Sequence, residues 1–145
     1  LKRITRLIDI GSGAGFPGIP LKICFPELNI VLVESKRKRA RFLSYILKKM
    51  KLIGYEVILG RAEEICLKKE YKEKFDTATF RSVASLSQCL ILGTPFLKSD
   101  GRILLKKEPE FKSQGLGSMS FSEEFFFETN DNRKSKLMVF KKSST

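Results

Sequence analysis

Three glycines follow a short apolar run near the start of the chain, in the order Asp9-Ile-Gly-Ser-Gly-Ala-Gly15. Glycine lets a backbone turn tightly and lets a ligand approach main-chain atoms. Where such a turn joins a strand to a helix, the helix amides point into the same crevice. Glu34 ends a second apolar run, Asn-Ile-Val-Leu-Val-Glu. A carboxylate at the end of a second strand can accept both hydroxyl protons of a ribose. The two features fit an adenosine-type ligand without choosing among such ligands. A glycine turn that binds nothing and a solvated strand-end acid are the bland alternatives.

Other chemistries are excluded by composition. The 145 residues include no histidine, which removes His-based triads, His-ligated metals and His general bases. Cys24, Cys66 and Cys89 are odd in number, far apart and form no C-x-x-C pair. Neither a disulfide framework nor a metal site is expected, and a reducing cytoplasm fits.

The elements that must position these residues alternate along the chain. Strands are predicted over 6–10, 29–34, 55–60, 75–81 and 102–106, and helices over 19–25, 36–51, 61–69 and 86–97. Pro17 and Pro20 fall near the first turn of the first helix, where proline is tolerated. Ser35 reads as an N-cap, and Ala40, Leu43, Leu47 and Met50 form the stripe of a helix laid on a sheet. Asp100-Gly101 reads as a turn, and 109–120 as a Gly-, Ser- and Lys-rich loop. The chain then closes with strands over 121–129 and 136–142 across a polar turn at 130–135, an antiparallel hairpin. Strand and helix alternation gives a parallel sheet with right-handed crossovers. The expected whole is one α/β domain over residues 1–145.

Two registers of the glycine turn compete. Gly13-Ala-Gly15-Phe-Pro-Gly18 fits G-x-G-x-x-G, the nicotinamide dinucleotide pattern, with Glu34 at a plausible distance. An acid, one residue and then G-x-G-x-G, starting at Asp9, resembles motif I of methyltransferases. The second register uses Asp9 and Gly11, and it places the first glycine directly after the strand. A closing antiparallel hairpin also suits a class I methyltransferase better than a dinucleotide-binding domain. An NAD-binding oxidoreductase domain and a catalytically inactive RNA-binding module remain as alternatives.

Asp9-Ile-Gly-Ser-Gly-Ala-Gly-Phe-Pro-Gly-Ile-Pro20, Pro26-Glu27 and Val33-Glu-Ser-Lys-Arg-Lys-Arg-Ala-Arg-Phe-Leu43 closely resemble the RsmG family, also called GidB. Gly60-Arg-Ala-Glu-Glu64, Phe75-Asp76 and Arg81-Ser-Val-Ala-Ser-Leu86 extend the match over roughly residues 6–142. These are bacterial methyltransferases that modify guanine N7 in small-subunit ribosomal RNA. The resemblance implies a class I S-adenosylmethionine-dependent methyltransferase fold, Rossmann-like, with a mostly parallel seven-stranded sheet and a C-terminal antiparallel hairpin. It implies S-adenosyl-L-methionine as cofactor, with Gly11, Gly13 and Phe16 lining its methionine and ribose side. Glu34 would hold the ribose, and Ala62 and Glu63 would flank the adenine. Arg81 would lie beside the methyl-donor centre and the incoming base, as the catalytic residue. Two departures stand out. The family usually carries a Lys-Gly pair after strand five, whereas this chain reads Lys106-Lys107-Glu108, which predicts an altered turn. The family also carries an N-terminal helical segment, and this chain is expected to lack it.

The charge fits the same partner. With 28 Lys and Arg against 16 Asp and Glu, the chain carries +12. Nucleic acid, here 16S rRNA or the small ribosomal subunit, is the expected partner, contacted through Lys36-Arg-Lys-Arg-Ala-Arg41. A solvated Lys/Arg face is the bland alternative. No apolar run approaches the roughly 20 residues that cross a bilayer, so no membrane partner is expected. A cytoplasmic monomer is the remaining expectation.

Overall fold

The computed structural model describes residues 4–81 and 84–144. Ser82 and Val83, within the Arg81–Leu86 match, lie outside the described residues. The strands are β1 (Arg6–Ile10), β2 (Asn29–Glu34), β3 (Tyr55–Leu59), β4 (Phe75–Phe80), β5 (Leu97–Lys107), β6 (Gly115–Leu116), β7 (Met119–Glu128) and β8 (Lys134–Lys142). The α-helices are α1 (Gly18–Cys24), α2 (Arg37–Lys49), α3 (Ala62–Ile65) and α4 (Leu86–Gly93).

All eight strands join one sheet in the order β3-β2-β1-β4-β5-β8-β7-β6. Strands β1 to β5 pair in parallel. β8 runs antiparallel between β5 and β7, so the C-terminal hairpin closes the sheet as expected. The chain steps outward from β1 to β3, then returns to place β4 on the other side of β1. That reversal makes the carboxyl ends of β1 and β4 the switch point, where open α/β sheets bind ligands.

Side-chain alternation divides the core between the two faces of the sheet. Leu7, Ile30 and Leu32 pack with Leu43 and Leu47 of α2 and Ile19 of α1. Ile8, Ile10, Val31 and Val33 face the other way and pack with Ile65 of α3 and Leu90 of α4. α2 buries Ala40, Leu43 and Leu47 as its spacing predicts. Met50 does not join them; it is the C-cap and is exposed. Ser35 is not the N-cap. α2 begins one residue later, with Lys36 at that position and no side-chain cap, and the Lys36 amide is taken by the Glu34 carboxylate.

Other boundaries moved for local reasons. Asp100, in the left-handed region at φ 64°, makes a bend inside β5 and not a turn before it. The loop at 109–120 contains the two-residue β6, an eighth strand beyond the seven expected. α4 is fixed by a capping box, in which Ser85 accepts from the Gln88 amide and Gln88 reaches back to Ser85. Glu108, where the family has glycine, is not in the left-handed region, so the position demands no glycine.

Lys22 of α1 is fully buried. Its Nζ donates to the carbonyls of Pro26 and Leu28, each at 2.6 Å. The ammonium thereby closes the α1–β2 connection, and burial lowers its pKa against the opposing pull of Glu27.

Gly18 sets how closely α1 lies on the sheet. A Cβ there would stand 2.6 Å from Leu32 Cδ2 and 2.7 Å from Asp9 Oδ2. Gly18→Ala requires the buried Leu32 and Asp9 side chains, or α1 itself, to shift. It is expected to cost about 1–3 kcal/mol, as overpacking does, read as a lower midpoint in urea or thermal unfolding. An unchanged midpoint would mean that α1 moves freely on the sheet.

Candidate cofactor site

The first glycine directly follows β1. Gly11, Gly13 and Gly15 all have positive φ, at 71°, 57° and 97°, where a side chain is strained. Gly11 has nothing within 4 Å of where a Cβ would stand, so a side chain there would project into open space. The turn opens at Gly11, whose amide and that of Ser12 both donate to the Val33 carbonyl. The register that starts at Asp9 is therefore the structural one. Gly18, the last glycine of the competing register, packs α1 closely against β1 and β2, a task that the third glycine of a dinucleotide pattern also has, so the choice rests on Gly11 and Asp9.

Two acids lie beneath the turn. Glu34 is 4% exposed. Its Oε2 accepts the Gly13 amide at 2.8 Å and its Oε1 the Lys36 amide at 3.0 Å. One carboxylate thus ties the glycine turn to the start of α2. Asp9 is fully buried. Its Oδ2 accepts the Gly18 amide at 3.1 Å, and its Oδ1 receives the Thr79 hydroxyl at 3.2 Å. Ser12 Oγ donates to the Asp9 carbonyl at 2.9 Å. Asp9 therefore links β1, β4 and α1.

Above the turn is a cavity of about 320 Å³ at the carboxyl ends of β1 to β4. Gly11, Ala62, Glu63 and Arg81 line it together with Ser35 and Arg61. Ile10, Val33, Phe80 and Leu92 give it an apolar wall. Four of the sequence-predicted residues thus meet in one place. The other three do not line it. Gly13 is buried within the turn, Glu34 is buried between Val33 and Ser35, which do line it, and Phe16 is 56% exposed and lines no part of it. Arg81 bridges the two groups: a Cβ on Gly13 would stand 3.0 Å from Arg81 Nη1. The arginine after β4 thus lies against the turn after β1, across the switch point. Sequence reading missed Ser35 and Arg61 as lining residues, and it missed Asp9 as a fixed anchor. The polar partners of Asp9 come from β4 and α1, distant in sequence. Among the described residues no group of three His, Cys, Asp or Glu could hold a metal ion.

A sheet of this order, an antiparallel strand inserted beside β5, and a glycine turn at the switch point define the class: this is the class I S-adenosylmethionine-dependent methyltransferase fold. Residues 1–125 match the family model of rRNA small subunit methyltransferase G (GidB), and the chain belongs to that family. A protein named Ribosomal RNA small subunit methyltransferase G from Caldanaerobacter subterraneus subsp. tengcongensis is 46% identical over 107 residues, covering 74% of this chain and 45% of that one. A protein of the same name from Oenococcus oeni is 39% identical over 154 residues, covering 100% of this chain and 64% of its own. The chain thus spans about half the length of the first of these relatives. Among solved structures, a mutant of MtNAS in complex with S-adenosylmethionine superposes with TM-score 0.72 at 16% identity, covering 96% of this chain and 55% of that one. The Escherichia coli protein yhhF superposes with TM-score 0.72 at 14% identity, covering 97% and 78%.

Burial pushes the Asp9 pKa up from 3.8 to about 7, against the lowering pull of the Gly18 amide, Thr79, Ser12 and Arg81. The sign follows from linkage. Folded Asp9 holds its proton more tightly than unfolded Asp9, so its contribution to stability is complete below pH 3.8 and is lost as pH rises through about 7. Asp9→Asn keeps an acceptor for Gly18 and cannot ionise. Its unfolding midpoint is expected to gain on the wild type between pH 5 and pH 8. A constant difference across that range would mean that Asp9 ionises in the fold as freely as in the unfolded chain.

Proposed function

We propose that residues 1–145 form one methyltransferase domain that moves a methyl group from S-adenosyl-L-methionine to N7 of a guanine in 16S ribosomal RNA. The observation that carries this reading is the meeting of Gly11, Ala62, Glu63 and Arg81 around one cavity at the switch point, in a chain of this family. The cavity suits the cofactor. Its apolar wall can take an adenine ring, Glu63 and the Ala62 amide lie at its edge, and Gly11 leaves it unobstructed. A carboxylate offers about four acceptor sites. Glu34 spends two on backbone amides, which leaves lone pairs for ribose hydroxyls while it keeps the turn in shape. Phe16 serves the outer, methionine side.

When bound, S-adenosyl-L-methionine supplies a sulfonium methyl group; the N7–carbon bond forms as the sulfur–carbon bond breaks, and the positive charge passes to the base. Guanine N7 already carries a free lone pair, so no proton has to be removed. A chain without histidine is thus no worse equipped. What its residues must do is hold the base in line, where orientation supplies most of the rate. Arg81 contributes planar donors that guanine O6 can accept, leaving N7 free. We place the protein in the cytoplasm, acting as a monomer on the small ribosomal subunit.

Calorimetry with S-adenosyl-L-methionine, with NAD as the control ligand, tests the cofactor. Micromolar binding of the first and none of the second is expected; the reverse would overturn the reading. Glu34→Ala is expected to weaken S-adenosyl-L-methionine at least about tenfold, because charge-assisted hydrogen bonds of roughly 1.5–3 kcal/mol are lost. Unchanged affinity in a folded variant would remove Glu34 from the site. Arg81→Ala is expected to slow transfer of labelled methyl to 16S rRNA about a hundredfold. Full activity would make Arg81 a bystander.

A further inference from the structure

α2 is built against its own electrostatics. Residues 36–51 contain eight Lys or Arg and no Asp or Glu. All eight cations are exposed, and among the described residues none is in an ion pair. Lys36 is at the N-cap and Arg37, Lys38 and Arg39 form the first turn, with no acid among them and no side-chain cap; the carboxylate at that end, Glu34, is already committed to the Lys36 and Gly13 amides. Cations at that end oppose the helix dipole, and neighbours three and four apart repel. An external polyanion would relieve both.

Aromatic rings interleave with these cations on the outward face. Phe42 is 47% exposed and Tyr45 is 60% exposed. Lys38, Phe42, Tyr45 and Lys49 follow a 4-3-4 spacing, which places them on one side of the helix. Lys49 Nζ lies 5.6 Å from the Tyr45 ring centroid. The inward face is already spent on Ala40, Leu43 and Leu47, so α2 cannot turn an apolar face into a lipid surface. Phosphate-binding cations alternating with open rings suit a nucleic acid strand whose bases are unpaired and free to stack.

We propose that the outward face of α2 docks single-stranded RNA, with Phe42 and Tyr45 stacking unpaired bases between phosphates held by Lys38, Arg41, Lys48 and Lys49. The proposal rests on the ribosomal RNA reading and adds to it where the RNA binds and in what form. It predicts preference for unpaired RNA over duplex, because duplex bases are closed to stacking.

The chain contains no tryptophan, so Phe42→Trp and Tyr45→Trp each place a single emitter on this face. Each variant of the full chain is titrated with a fluorescein-labelled 12-nucleotide single-stranded RNA and with the same sequence as a duplex. Single-stranded RNA is expected to quench the tryptophan with the midpoint given by the anisotropy of the label. Duplex is expected to bind more weakly without quenching. Phe42→Ala with Tyr45→Ala is expected to weaken single-strand binding about fivefold or more per ring, the loss that follows one stacked base. Its salt dependence should stay the same, whereas Arg41→Ala with Lys48→Ala should reduce the salt slope. Binding without quenching at either position, or an alanine pair that binds as the wild type does, overturns the stacking face and leaves the methyltransferase reading standing. No binding of either RNA overturns the docking proposal. Calorimetry with S-adenosyl-L-methionine on the same samples then shows whether the cofactor reading has failed with it.

Discussion

The ligand end of this fold depends on carboxylates that accept backbone amides. Glu34 takes the amides of Gly13 and Lys36, and Asp9 takes that of Gly18. A glycine-rich turn has the greatest conformational freedom of any backbone and loses the most on folding. Left alone it would sample many shapes, and the amides needed for a ligand would point in none. The two acids fix it from below, so that the cavity above is shaped before anything enters it. Each acid also ties distant elements together: Glu34 joins the turn to α2, and Asp9 joins β1 to β4 and α1.

That arrangement has an electrostatic cost. Burying a carboxylate disfavours its charged form, and Asp9, fully enclosed, carries the cost as a pKa near 7. Asp76 at the opposite end of the sheet shows the contrast. It too is partly buried, which works against ionisation, but the Thr5 hydroxyl, the Thr5 and Arg6 amides and Lys98 bring its pKa down to about 2. One acid therefore pins the amino end of β1 as an anion, while the other pins the ligand end while poised to hold a proton. The difference is depth of burial first and donors second: Asp9 is fully enclosed with one amide and one hydroxyl bonded to its carboxylate, whereas Asp76 is less buried and has a lysine and three neutral donors.

Much of this was legible in sequence because it is local. β1 and β2 fell at their predicted bounds, since a short apolar run between turn residues has few other solutions. The α2 stripe was readable to Leu47 from its period alone. What was not legible depended on contacts between distant segments. Ser35 has the right chemistry for an N-cap, yet the helix starts one residue later and no side chain caps it. Gly18 could be read in a glycine pattern, but which side chains it packs against, Leu32 and Asp9, needed the fold. In the site, the residue types after β1, β3 and β4 could be named in advance. That Arg81 lies against Gly13, while Phe16 does not line the cavity, required the sheet order.

The distribution of charge says more than its sum. The chain carries +12, and residues 36–51 hold eight cations with no acid. The C-terminal hairpin, by contrast, mixes signs and pairs them, as in Lys136 with Glu124 and Arg133 with Asp131. A protein that needed net charge only for solubility would gain by spreading it, and by placing acids at the start of α2, where each is worth about 0.3–1 kcal/mol. Here the first turn of one helix carries three cations and no acid, with Glu34 before it on the Lys36 amide, and ordinary pairing is kept elsewhere. α2 starts three residues after Glu34, at the end of the sheet where the cavity lies. On the proposed reading, a polyanion drawn to α2 would lie beside the end of the sheet that holds the cavity, because Ser35, at the start of that segment, lines it.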